Sequence, residues 1–154
     1  MNGMDVLAGK HIVLGISGSI AAYKVAELAR NLNLAGAVVD VIMTEAAQRF
    51  VGAPTFQALT GRAVLTDIWA LPEDGVVGHV ALGRSADLLI LAPATANTLA
   101  RIAAGLSDDL LTTTVLATRA PVLCVPAMNT HMYTNAATQE NIATLRRRGI
   151  TVLE

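Results

Sequence analysis

The 154 residues carry a net charge of −1, with 15% charged and 53% hydrophobic, so the chain has neither the basic surplus of a nucleic-acid binder nor the polar excess of a disordered segment. Its apolar runs are broken by polar residues or glycine well short of the roughly 18 residues needed to span a bilayer, and aromatic residues, at 3%, are too few to stack single-stranded nucleic acid. One domain over 1–154 with a single large core is expected, and the low charge points to apolar surface buried between subunits.

Met1 to Lys10 contains Asp5 and no basic segment leading into an apolar run of signal-peptide length, and the lone Cys124 cannot form an internal disulfide. Both features point to the cytoplasm. The first predicted strand, His11 to Ile16, runs through Gly15-Ile16-Ser17-Gly18-Ser19 into a helix over Ile20 to Leu34 that stops at Gly36. A small-residue turn at that junction lets the backbone approach a ligand, with unpaired amides and the positive end of the helix dipole facing outward. An anionic group such as a phosphate fits there, and the Ser hydroxyls add donors. The spacing is neither a full GxGxxG fingerprint nor a P-loop ending in GK[ST], so a tight turn without a ligand stands as the alternative.

A second strand is predicted over Val38 to Met43, then short helices over Thr44 to Phe50 and Pro54 to Leu59. The stretch from Asp67 to Gly78, with Pro72 and Gly75, reads as a loop. Beyond it come a helix over Val80 to Ser85, a strand over Asp87 to Ala92, and a helical stretch from Leu99 to Ala117 with a break at Gly105. A strand over Pro121 to Val125, a helix over Asn135 to Arg148 stopping at Gly149, and a last strand over Ile150 to Leu153 complete the chain. Arg146, Arg147 and Arg148 sit where they complement a helix C-terminus on a solvated face. Short branched strands alternating with helices predict an α/β fold: a single doubly wound, Rossmann-like or flavodoxin-like parallel sheet with helices on both faces.

Ligands of such sheets bind beyond the carboxyl ends of the strands. The residues there are Ser17-Gly18-Ser19, Thr44-Glu45, Pro93 to Thr98, and Pro126-Ala127-Met128-Asn129, mostly small or bearing hydroxyl and amide groups. No Ser or Cys is spaced with a His and a carboxylate as nucleophilic catalysis requires, and no His, Cys and Asp spacing suits a metal. No metal is expected, and the chemistry is assigned to a bound cofactor. Taken alone, Thr44 and Asn97 are also good helix caps, Met128 an ordinary core filler, His11 a structural residue, and Cys124 a buried inert thiol.

Four segments resemble, in order, the signatures of the homo-oligomeric flavin-containing cysteine decarboxylases. They are GISGSIAAYK from Gly15 to Lys24, the segment opening Gly78-His79-Val80, PATANTLARIAAGLSDDLLTTT from Pro93 to Thr114, and PAMNTHMYTNAATQENI from Pro126 to Ile142. The resemblance is closest to the branch acting on 4'-phosphopantothenoylcysteine in coenzyme A synthesis. It implies an FMN cofactor whose phosphate sits on Gly18, Ser19 and Ile20 at the helix start. Thr44, Phe50, Thr95, Ala96, Asn97 and Thr98 would contact its ribityl chain or ring, with Met128 packed beside the ring. His79 is implied as the catalytic histidine. Asn129 is implied as a catalytic amide that binds the substrate carboxylate without neutralising it, with Ala127 and Met128 also at the substrate, and His131 lining the site or a subunit contact.

The mechanism the resemblance implies is oxidation of the cysteine moiety by FMN to a thioaldehyde that lets carbon dioxide depart, followed by reduction of the enethiol toward 4'-phosphopantetheine. It also implies trimers assembled into dodecamers with FMN at a subunit interface. Two departures stand out: Tyr133 replaces the motif's common tryptophan, and the family continues beyond Glu154 into a substrate-covering flap with a reducing cysteine that has no counterpart here. The decarboxylase part of a longer protein, fused to a phosphopantothenate-cysteine ligase, is therefore expected. The alternatives are a peptidyl-cysteine decarboxylase making a C-terminal aminoenethiol and a non-catalytic flavin-binding regulatory homologue; a flavin prenyltransferase or a nicotinamide dehydrogenase fits less well.

Overall fold

A computed structural model describes residues 6–70 and 78–154. Its strands are β1 (His11–Ile16), β2 (Val38–Met43), β3 (Leu88–Ala94), β4 (Val122–Pro126) and β5 (Thr151–Val152). All pair in parallel, in one sheet of order β2-β1-β3-β4-β5. Because side chains alternate along a strand, the sheet builds two cores. Ile12, Leu14 and Ile16, with Val39, Val41 and Met43, pack toward α1 (Ala22–Leu34) and α2 (Ala53–Thr60). Val13, Ile42, Leu89 and Leu91 pack on the opposite face toward α4 (Ala96–Ala103), α5 (Leu110–Ala117) and α7 (Ala136–Arg147), with α3 (Gly78–Ser85) joining through Leu82. This is the doubly wound sheet that the alternating pattern predicts.

Contact between sheet and helix is tight where the site will lie. A Cβ built on Gly15 would stand 2.3 Å from Leu111 Cδ1 and 2.9 Å from Leu91 Cδ2, so a larger residue there would force the tips of these two leucines to move.

Several boundaries differ from the sequence reading. α1 begins at Ala22 rather than Ile20, and residues after β2 make only a short 3₁₀ turn, Ala47–Arg49. The helical stretch over Leu99 to Ala117 breaks at Gly105 (φ +72°) as expected, but α4 begins earlier, at Ala96, capped by Thr95, and the chain restarts only at Asp109, whose side chain caps α5 in a reciprocal box with Thr112. β3 runs two residues further than expected, through Pro93. The proline has no N–H, yet its carbonyl accepts from Ser17 N at 3.2 Å and the Ala94 carbonyl accepts from Ala127 N at 3.1 Å, so pairing continues past a register shift between Leu91 and Ala94. A short helix, α6 (Thr130–Thr134), was not anticipated. Of the loop predicted over Asp67 to Gly78, residues 71–77 lie outside the described residues.

The amino ends of the strands carry polar ties that hold the sheet. Buried Asp40 accepts from Arg62 Nε at 2.6 Å and lies 2.6 Å from His11 Nε2, which gives His11 the structural role read from its sequence position. Arg146 donates to the Val152 carbonyl at 3.1 Å and Arg148 to that of Ala103 at 2.7 Å, so two of the three consecutive arginines close backbone carbonyls. Asp87 Oδ2 accepts from His11 N at 2.8 Å, and Lys10 Nζ lies 3.7 Å from Oδ1. The backbone bond from His11 holds the Asp87 carboxyl below its ordinary range, and Lys10 assists, against the opposing effect of burial. A folded value below the unfolded one means that the stabilisation is present above the unfolded carboxyl pKa and is lost as pH falls through the folded value. Asp87→Asn is therefore expected to cost stability at pH 7 and progressively less below about pH 4; chemical unfolding at pH 7 and pH 3 checks this, and an equal loss at both would contradict it.

Candidate functional site

β1 and β3 are neighbours, but β1 leads to α1 on one face and β3 to α4 on the other. Their carboxyl-end loops therefore part and open a crevice at the point where the strand order reverses. A cavity of about 850 Å³ occupies it, a volume in the range of small-molecule sites. Gly18 and Ser19 form one wall, Thr44 a second, Thr95, Ala96, Asn97 and Thr98 a third, and Ala127 and Met128 a fourth. Segments up to about 110 positions apart in the chain meet there because parallel strands all end on the same edge.

Polar groups around the cavity divide into those already committed and those left over. Ser17, 1% exposed, donates its hydroxyl to the Pro93 carbonyl at 2.6 Å and accepts from Thr95 N at 3.0 Å. Its hydroxyl is thus not the ligand donor expected from the sequence; it ties the β1 loop to the β3 loop and fixes the width of the crevice. Ser17→Ala leaves the Thr95 amide without that acceptor, and a stability loss of about 1–3 kcal/mol is expected. Urea unfolding reads it directly, and a loss below about 0.5 kcal/mol would leave the tie without energetic weight.

Ser19 Oγ accepts from Ala21 N at 3.2 Å and Thr44 Oγ1 from Ala47 N at 3.1 Å, which leaves each O–H proton to donate. Thr95, rather than Asn97, caps α4: its Oγ1 accepts from Thr98 N at 3.1 Å. Asn97 lies in the first helical turn, exposed and lining the cavity. Among the described residues the amides of Gly18 and Ile20 have no acceptor, and those of Ala96 and Asn97 open α4 without an intrahelical partner. Free amides and hydroxyls at helix starts suit a phosphate, while Ala96, Ala127, Met128 and Met132 offer small or soft surface for a ring.

Four expected residues do not line the cavity. Ile20 is 71% exposed and Phe50 is 50% exposed: Ile20 lies in the turn before α1, and Phe50 follows the short 3₁₀ turn and points outward. Asn129, one residue past Met128, is exposed and caps α6; its Oδ1 accepts from His131 N at 2.8 Å, so its Nδ2 remains as the free donor. His79 lies on α3, which packs against α5; its Nδ1 is buried and has no partner among the described residues. Cys124 is fully buried and burial pushes its thiol up to about 12, so it stays protonated and unreactive, as its place in a strand suggested.

The structure also brings in residues that the sequence reading did not single out: Ala46, Arg49, Arg101, Asp108, Asp109 and Met132. Arg101 follows Asn97 by four positions, so helical spacing alone puts both on one face, and Asp108 and Asp109 lie in the same quoted block. Arg49 pairs with Glu45 at 3.7 Å on the exposed rim. Among the described residues no group of three or more His, Cys, Asp or Glu could hold a metal ion, and no helix is long and apolar enough to cross a membrane.

A doubly wound parallel sheet with a donor-lined cavity at its switch point defines a nucleotide- or phosphate-ligand α/β protein. The chain belongs to the flavoprotein family, whose sequence profile matches residues 4–154. It is 56% identical over 149 residues to the coenzyme A biosynthesis bifunctional protein CoaBC of Vibrio vulnificus, covering 97% of this chain and 37% of that one. It is 55% identical over 145 residues to CoaBC of Mycobacterium tuberculosis, covering 94% and 34%. The chain thus spans little more than a third of the length of these curated relatives. Among solved structures, the FMN-dependent cysteine decarboxylase SpaF superposes with a TM-score of 0.91 at 37% identity, covering 97% of this chain and 86% of that one. A PPC decarboxylase variant complexed with pantothenoylaminoethenethiol superposes at 0.82 with 33% identity, covering 94% and 81%.

Proposed function

We propose that this chain is an FMN-dependent decarboxylase of 4'-phosphopantothenoylcysteine in coenzyme A synthesis, the decarboxylase part of a longer protein that also carries a phosphopantothenate-cysteine ligase. The observation that carries the reading is the 56% identity to a coenzyme A biosynthesis bifunctional protein over 97% of this chain. The cavity fits the cofactor in size and in chemistry: the free amides of Gly18, Ile20, Ala96 and Asn97 and the hydroxyls of Ser19 and Thr44 for the phosphate and ribityl chain, and Met128 against the ring. When bound, the flavin supplies the electron sink that makes the substrate's carboxylate labile.

The chain's own residues do the rest. Asn129, its oxygen spent on capping α6, turns an N–H donor to the substrate carboxylate and holds it without charge neutralisation, which favours departure of carbon dioxide. Ala127 and Met128 shape the adjoining wall. His79 carries the proton, the usual task of an imidazole in acid–base catalysis.

His79 and Asn129 lie outside the cavity wall, and Ile20 and Phe50 are exposed beside it, so a second copy of the chain is the natural means of closing the site. A homotrimer, assembled further into a dodecamer, is the proposed state, in the cytoplasm. The second reading, decarboxylation of a C-terminal cysteine on a peptide, draws on the higher structural overlap with SpaF, 0.91 against 0.82 for the PPC decarboxylase.

The test is the product mass after incubating the FMN-loaded protein with 4'-phosphopantothenoylcysteine and, separately, with a peptide ending in cysteine. Loss of carbon dioxide from the small substrate supports the first reading, and loss from the peptide alone selects the second. Further loss of two hydrogens would show that the chain stops at the enethiol.

A further inference from the structure

This inference rests on the flavin reading above and concerns Arg101. The residue projects from α4 one turn after Asn97 and lines the cavity beside Asp108 and Asp109. Only 25% of its side chain is exposed. Its Nη2 donates to Asp108 Oδ1 and, at 3.4 Å, to Asp109 Oδ2. Asp109 has little more to give, because its Oδ1 accepts from Thr112 N at 2.7 Å in capping α5. The Nε of Arg101 is buried and has no acceptor, and among the described residues Nη1 has none either.

Buried donors without partners are rare because each forfeits the hydrogen bonds that water would have made. A clasp between α4 and α5 needs only the Nη2 corner, and a lysine ammonium would serve it equally well. A guanidinium instead presents a planar fork, and here the fork's other donors are left over at a cavity wall. Such an edge matches a carboxylate, a phosphate or a paired ring carbonyl, which accept along the same plane. A modest shift of the side chain toward a bound acceptor would also give Nε the partner it lacks.

We propose that Arg101 is a ligand-binding residue whose unmatched donors hold an anionic or carbonyl acceptor of the molecule in this cavity, on FMN or on the substrate. Asp108 and Asp109 set its orientation through Nη2 and temper its charge.

Titrating the apoprotein with FMN, read by quenching of flavin fluorescence, compares the wild-type chain with Arg101→Gln, Arg101→Lys and Asp108→Asn. KM for the substrate and the melting temperature follow on the same samples. If the acceptor is on FMN, both Arg101 variants weaken FMN binding by at least about tenfold, the size of one charge-assisted hydrogen bond. Asp108→Asn then binds FMN at least as tightly as wild type, because the donor remains and is less neutralised. If FMN affinity holds while KM rises about tenfold in Arg101→Gln, the acceptor is on the substrate. Wild-type FMN affinity and KM in Arg101→Gln would overturn the proposal. So would parallel losses of FMN affinity and melting temperature in Arg101→Gln and Asp108→Asn, which would mark a purely structural clasp. A wild-type chain that takes up no FMN would instead sink the flavin reading itself, and this inference with it.

Discussion

Replacing His79 with asparagine is expected to slow decarboxylation of 4'-phosphopantothenoylcysteine by at least about 100-fold, the usual worth of a positioned proton-transfer group, while FMN stays bound. The imidazole has an unmet hydrogen-bonding need. Neutral histidine has one donor and one acceptor nitrogen, and the buried Nδ1 of His79 meets no partner among the described residues. A histidine kept for packing would have both nitrogens matched. It sits at the second residue of α3, and α3 is anchored on α5, so the ring is carried by a rigid element. Because His79 does not line the cavity, the variant should keep its flavin spectrum; asparagine retains polarity and approximate shape but cannot exchange a proton near neutral pH. Product mass and flavin absorbance on one sample decide the matter. A wild-type rate in the variant removes His79 from the chemistry, and loss of the flavin would assign it a structural part instead.

The second large effect is expected at Gly18. A Cβ there would stand 2.5 Å from Ala46 Cβ and 3.1 Å from the Ala46 carbonyl carbon, and neither atom belongs to a flexible side-chain end that could swing away. Gly18→Ala must therefore push the β1 loop off the segment after β2, two walls of the same cavity. Overpacking of this kind costs about 1–3 kcal/mol. If the loop relaxes by moving into the cavity, that energy appears as weaker FMN binding of roughly 5- to 150-fold. FMN titration together with thermal unfolding distinguishes the outcomes: unaltered affinity and melting temperature would mean that the close approach is not required. Mixing Gly18→Ala with His79→Asn chains tests the shared site. Random assembly would place an intact Gly18 opposite an intact His79 in roughly a quarter of sites, so activity should partly return only if the two residues come from different copies.

The layering of this protein follows from its residue pattern. Strands rich in Val, Ile and Leu can be buried on both faces only in a parallel sheet with helices above and below, and Gly15, Gly18 and Gly36 mark where the chain must turn or lie close. The loops that would wall the site were also legible, because ligand-facing residues follow strand ends and the short motifs from Ser17, Thr44, Pro93 and Pro126 each follow one. The family resemblance then supplied roles for His79 and Asn129 that residue type alone does not give.

How those groups are spent depends on packing. Ser17 and Ser19 are alike in sequence, yet packing buries the first as a tie between two loops and leaves the second with a proton to donate. Thr95 caps α4 where Asn97 had been the candidate, since the cap belongs to whichever side chain stands at the last extended residue, and β3 extends to Ala94. Arg101, Asp108 and Asp109 became neighbours only through the break at Gly105, which turns α5 back beside α4. Hydrogen-bond partners across 76 or 78 residues, such as Ser17 with Pro93 and Thr95, are set by the register of β1 on β3, and register is a property of the assembled sheet rather than of any local stretch of chain.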